Sequence, residues 1–187
     1  MNRLPLALTM SAAFWLTACA TAPQKSAVAA PVPQPSALAK AIPQGEVLLA
    51  AQPTLEDLQG LKSRDIRFVF NLRTPEEMST LSFDEPALIA QQGIGYEQHP
   101  VNGNAAWTPE LLAAFAKAVQ ANDGKVLLHC ASGGRAATLY AAYAMKYLGK
   151  TPDEAVQVMV AAGSWPLPLE RLTGERLSLV RSKDPEK

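Results

Sequence analysis

The chain reads as an α/β domain whose central sheet is mostly parallel and flanked by helices. Two observations predict this. Short apolar, β-branched segments alternate with segments of helical periodicity, the pattern of parallel strands joined by crossover helices. In addition, the apolar run Val126-Leu127-Leu128 leads through His129-Cys130-Ala131-Ser132-Gly133-Gly134-Arg135 into the helix-forming Ala136-Ala137-Thr138-Leu139. That strand–loop–helix passage sets its loop beyond the carboxyl end of a strand, where ligands of open α/β sheets bind.

The elements follow in order. Glu46-Val47-Leu48-Leu49-Ala50 is an edge strand. Thr54 caps a helix running to about Leu61, with Glu56 and Asp57 near its positive end. Ile66 to Leu72, rich in β-branched and aromatic residues, is the next strand. A looser helical region spans 76–92, interrupted at Phe83-Asp84-Glu85-Pro86, and the segment 93–101 gives a turn and a third strand. Thr108-Pro109-Glu110 starts a helix whose buried face is Leu111, Leu112, Phe115 and Val119, and Gly124 ends it. Lys125 to Cys130 is the strand that feeds the loop. Thr151-Pro152-Asp153-Glu154 is a capping box with proline in the first turn, and a last short helix follows Trp165-Pro166.

The ends of the chain differ from this domain. Residues 1–18 combine one positive charge, a short apolar run and small residues, the pattern of a secretory signal peptide. The run is shorter than the about 20 residues a membrane-spanning helix needs. Leu16-Thr17-Ala18-Cys19 resembles the lipobox of bacterial lipoproteins. The resemblance implies a lipidated Cys19, a membrane contact through that anchor only, and a periplasm-facing site in the cell envelope. Ala20 rather than Asp after the cysteine implies the outer membrane. Residues 19–44, with prolines at 23, 31, 33, 35 and 43, read as an extended tether, 45–181 as the domain, and 182–187 as a tail.

With 17 Lys+Arg against 17 Asp+Glu, the formal net charge is +0, which gives no reason to expect a nucleic-acid partner. The domain offers only His99, His129 and Cys130 as soft metal ligands, without His-x3-His or Cys-x2-Cys spacing, so neither metal nor cofactor is expected. If Cys19 carries lipid, Cys130 is an unpaired thiol in an oxidising compartment, and catalysis is the economical reason for it.

The loop explains how that thiol would react. Backbone N–H groups of Ala131, Ser132, Gly133 and Gly134 and the first turn of the following helix converge on one point, and the helix dipole adds positive charge. Both favour a thiolate at Cys130 and an oxyanion beside it, so a small anionic substrate is expected. A buried, inert cysteine next to a Gly-Gly turn is the plainer reading of the same residues.

Three segments in this order, Phe68-Val69-Phe70-Asn71-Leu72-Arg73, Tyr96-Glu97-Gln98-His99-Pro100-Val101 and Val126-Leu127-Leu128-His129-Cys130, resemble dual-specificity protein tyrosine phosphatases. The match, with Gln52-Pro53-Thr54, is closer to their bacterial relatives, the beta-lactamase-hydrolase-like phosphatase family, and covers roughly residues 46–162. The resemblance implies a cysteine-phosphatase-like fold and a cysteine-dependent hydrolase of phosphate monoesters. Cys130 would be the nucleophile, Arg135 the oxyanion clamp, residues 131–134 the phosphate-binding loop, His129 a loop-orienting residue and Arg73 an accessory cation.

The chain departs from the family pattern in three places. Four residues rather than five separate Cys130 from Arg135, position 136 is Ala rather than Ser or Thr, and the loop 102–107 holds no aspartate to protonate the leaving alcohol. Glu110, Asp84 and Glu85 are the candidate acids, and slow or narrow activity is expected. Two other readings stay open. Rhodanese-like sulfurtransferases also carry Cys-x4-Arg and need no such acid, and the same cradle would serve a non-catalytic anion-binding pseudo-phosphatase.

Overall fold

A computed structural model describes residues 35–163 and 169–174. The expected signal peptide, the expected lipidation at Cys19 and the expected 182–187 tail lie outside the described residues.

Five strands form one sheet in the order β1-β2-β5-β3-β4: β1 Ile42–Gln44, β2 Val47–Ala50, β3 Phe68–Asn71, β4 Gly95–Gln98 and β5 Val126–His129. β1 runs antiparallel to β2, and all other neighbours are parallel. The helices are α1 Leu55–Gln59, α2 Pro75–Met78, α3 Glu85–Ala90, α4 Pro109–Ala121, α5 Gly134–Leu148, α6 Pro152–Ala161 and α7 Leu169–Thr173. The expected mixed α/β architecture with a mostly parallel sheet is therefore present.

The first strand corrects the expected domain boundary. β1 lies inside the span read as tether, and Leu38 just before it is 5% exposed. Gly45 (φ 62) and Glu46 form the two-residue turn that pairs Gln44 with Val47. Pro43 is tolerated because an edge strand needs ladder donors on one side only. β1, not β2, is thus the edge.

The centre of the sheet is β5, buried along its whole length. Side chains alternate across it. Val126, Leu128 and Cys130 enter one core with Phe70, Leu72, Phe115 and the alanines of α5. Leu127 enters the other with Val69, Leu58, Leu61 and Ile89. The alternation therefore sends Cys130 and His129 to opposite faces, each fixed by packing.

Capping sets the helix starts as expected at Thr54 and Thr151, where threonine oxygens accept from Asp57 and Glu154 and those carboxylates accept in return. The looser 76–92 region resolves into α2 and α3. Thr74 caps α2 in the same reciprocal way, with Glu77 as partner, and Asp84 caps α3.

Candidate active site

The loop after β5 is held from below by neighbouring strand ends. Cys130 N–H donates to Ala50 O (3.4 Å), and Gln52 N–H donates to Ala131 O (3.2 Å). Cys130 is fully buried and free of any disulfide, while Ala131 and Ser132 are exposed. Gly133 N–H donates to Cys130 Sγ at 3.1 Å. It does so because Gly133 adopts φ 94 as it caps α5. A Cβ there would make ordinary contacts of 3.6–3.8 Å with Ala50 and Ala51. The cost of a side chain is therefore conformational rather than steric. Gly133→Ala is expected to lose about 1–2 kcal/mol of stability in urea denaturation. Relaxing the strain should also swing the N–H away from the Cys130 sulfur.

Arg135, on the first turn of α5, is braced on one edge. Nη1 donates to Leu72 O (3.1 Å), Val101 O (2.9 Å) and Glu77 Oε2 (3.0 Å), and Nη2 to Glu77 Oε1 (2.7 Å). Burial pulls the guanidinium down, but hydrogen bonding and charge from Glu77 and Cys130 outweigh it and leave Arg135 above its ordinary value. None of those four bonds uses Nε, and the guanidinium also interacts with Cys130 through a hydrogen bond and charge. The Arg135 hydrogen bond holds Glu77 below the usual carboxylate range, against a smaller opposing effect of burial.

Sequence reasoning missed Glu77. The signal was present: Thr74-Pro75-Glu76-Glu77 has the Thr-Pro-x-Glu form that marks the start of α6. Its capping role alone would account for that carboxylate. Only the fold shows that the box, standing after β3, aims it at Arg135.

His129 points off the other face, as the alternation requires. Its Nε2 meets Glu85 Oε1 at 3.0 Å, with both side chains fully buried. Nδ1 is buried with no partner among the described residues. Glu85 also accepts from Asn71 Nδ2 (3.1 Å) and Gln52 Nε2 (2.6 Å). Burial pushes the Glu85 carboxyl up, but His129, Gln52 and Arg73 together outweigh it and hold it below the usual range.

Glu85, read from the sequence as a candidate acid, is instead buried and hydrogen-bonded to His129, on the face of β5 opposite Cys130. Arg73, expected as an accessory cation for the substrate, is turned into the protein instead. It is 6% exposed, with Nη1 on Gln52 Oε1 and Nη2 on Glu77 O, each at 2.5 Å. Its charge thus serves the frame under the loop. Asp84 is exposed and spends Oδ1 on Ala87 N–H (3.0 Å). Glu110 is exposed at the start of α4, where its own backbone N–H and Thr108 hold it below the usual range. Neither is hydrogen-bonded to Cys130, Arg135 or the loop. Among the described residues, no group of three or more His, Cys, Asp or Glu side chains is gathered for a metal ion.

No family model matches the chain. It is 36% identical over 92 residues to the beta-lactamase hydrolase-like proteins of two Xylella fastidiosa strains, Temecula1 and 9a5c. The match takes in 48% of this chain and 21% of theirs, so the chain spans about a fifth of those relatives. Among solved structures, the DUF442 protein from Shewanella putrefaciens CN-32 is 23% identical with a TM-score of 0.56, covering 72% of this chain and 89% of that one. PTPMT1 in complex with PI(5)P is 24% identical with a TM-score of 0.56, covering 68% and 88%. Tk-PTP in its active form is 24% identical with a TM-score of 0.52, covering 62% and 78%. The fold is that of the cysteine phosphatases, including the tyrosine and dual-specificity types.

Proposed function

We propose that this chain is a cysteine-dependent phosphatase that hydrolyses phosphate monoesters through a cysteinyl-phosphate. The observation that carries the reading is the conjunction at one strand end. Cys130 Sγ accepts a backbone N–H from its own loop, and Arg135 stands beside it with one edge locked by Glu77. The Cys130 thiolate attacks phosphorus in line with the ester oxygen, an S–P bond forms, and the O–P bond breaks. The leaving oxygen keeps the electron pair and takes its proton from solvent. Water then attacks the same phosphorus, releasing inorganic phosphate and returning the thiolate. Through both steps the loop N–H groups and Arg135 bind the non-bridging oxygens.

The relative seen with PI(5)P carries a phosphorylated ligand, which accords with a phosphate-bearing substrate here. A cleft of about 390 Å³ adjoins the loop at Ser132 and Gly133 and is bordered by Lys40, Leu49 and Gln52, but neither Cys130 nor Arg135 lines it. We also propose that the domain acts at the cell envelope, tethered through a lipid on Cys19; loss of palmitate labelling in Cys19→Ser tests this.

The test of function uses the domain from about residue 35 onward, reduced, with Cys130→Ser beside it. Release of p-nitrophenol from p-nitrophenyl phosphate is measured in parallel with thiocyanate formation from thiosulfate and cyanide. Phosphate-ester cleavage that disappears in the variant is the expected result. Thiocyanate formation alone would make the protein a sulfurtransferase, and silence in both assays would leave an anion-binding module.

A further inference from the structure

We propose that Gln52 is a positioning residue whose side-chain amide ties both ends of the phosphate-binding loop to one buried frame and so sets the alignment of Arg135 on Cys130. Its kinetic readout rests on the phosphatase reading above. Gln52 follows β2, and its backbone N–H already holds the loop at Ala131 O.

The amide then reaches two residues of opposite charge. Oε1 accepts from Arg73 Nη1 (2.5 Å), and Nε2 donates to Glu85 Oε2 (2.6 Å) and to Pro53 O (3.1 Å). From Arg73 the path runs through Glu77 O to the carboxylate that brackets Arg135. From Glu85 it runs to His129, the neighbour of Cys130. The first path ends at the residue closing the loop, and the second at the residue opening it.

Only a side chain presenting both an acceptor and donors can stand between a guanidinium and a carboxylate. Glutamate would meet Glu85 as a like charge, and a cation would meet Arg73. A hydrophobic residue would leave Arg73 Nη1 and Glu85 Oε2 without the hydrogen bonds that Gln52 gives them. Arg73 and Glu85 are themselves buried, so a lapse at Gln52 is transmitted to the loop rather than absorbed by solvent.

Gln52→Met keeps length and volume while removing both hydrogen bonds, and Gln52→Asn keeps the amide but shortens its reach. Each is purified with the wild type, Glu77→Gln and Arg135→Lys, and far-UV circular dichroism selects the folded proteins. The expected result is a fall of about tenfold to hundredfold in the turnover of p-nitrophenyl phosphate, borne by kcat more than KM.

A second readout needs no turnover. Iodoacetate, an anion, should lose its advantage over neutral iodoacetamide in alkylating Cys130, and the same loss is expected in Arg135→Lys. The double variant Gln52→Met/Glu77→Gln should lose less than the product of the single losses, because both act through Arg135. An unchanged alkylation ratio in folded Gln52 variants, or losses that multiply fully, would overturn the proposal. If the wild type does not turn over the ester, the phosphatase reading fails while the alkylation ratio still decides the role of Gln52.

Discussion

Cys130→Ser is expected to reduce phosphate-monoester hydrolysis to background, a loss of at least about four orders of magnitude. A serine hydroxyl in the same cradle is not ionised near neutral pH, and no general base is hydrogen-bonded to it that would make up the difference. The variant should still fold, because Oγ replaces Sγ at a position where Gly133 N–H remains as a donor. It should also still bind inorganic phosphate, since Arg135 and its Glu77 brace are untouched. Isothermal titration with phosphate alongside the rate measurement separates the two properties. A variant that neither binds nor turns over would indicate a collapsed loop. One that turns over would remove Cys130 from the mechanism.

The largest expected loss of stability belongs to Glu85→Ala. The side chain is fully buried and accepts from His129, Asn71 and Gln52. Its removal leaves the donors of buried His129 and Asn71 and of half-buried Gln52 facing a void. Deleting one partner of a buried charged pair typically costs about 3–5 kcal/mol, a large share of the roughly 5–15 kcal/mol that holds a domain together. Urea denaturation measures it, and Glu85→Gln, which keeps an acceptor at the same reach, should lose clearly less.

The pH dependence has a definite sign. Glu85 and Glu77 are both held below their ordinary value of 4.5, so the folded state keeps them ionised more readily than the unfolded chain does. The stability they contribute is fully present above that value and is lost as pH falls through their lower folded-state values. The acid limb of a stability–pH curve should therefore be shallower in Glu85→Gln than in the wild type.

Much of this frame was legible in the sequence because it is local. Apolar runs marked β3 and β5. The spacing of Leu111, Leu112, Phe115 and Val119 marked α4, and threonine–carboxylate pairs marked the starts of α1 and α6. Cys130 and Arg135 were legible because a strand, two glycines, a cation and a helix stand side by side in the chain. β1 was hidden by composition: Pro43 and its proline-rich approach look like tether, and only pairing with β2 reveals a strand.

The polar frame was hidden by distance. Gln52 meets Arg73 across 21 residues and Glu85 across 33, and Arg135 meets Glu77 across 58. Glu85 sits in a stretch that breaks helical periodicity, where an exposed acid is the natural expectation. The fold instead turns it under the sheet onto His129. Local physical rules place such residues on an element. The parallel pairing of β3 with β5 and the packing around it decide what they touch.

The most direct measurement is capture of the phosphoenzyme. Wild-type protein is mixed with p-nitrophenyl phosphate, quenched within milliseconds, digested and examined by mass spectrometry. The account predicts a peptide containing Cys130 that carries one added HPO₃, absent in Cys130→Ser and accumulating when the water step is slowed. Turnover without any phosphorylated Cys130, or the phosphoryl group on another residue, would contradict it.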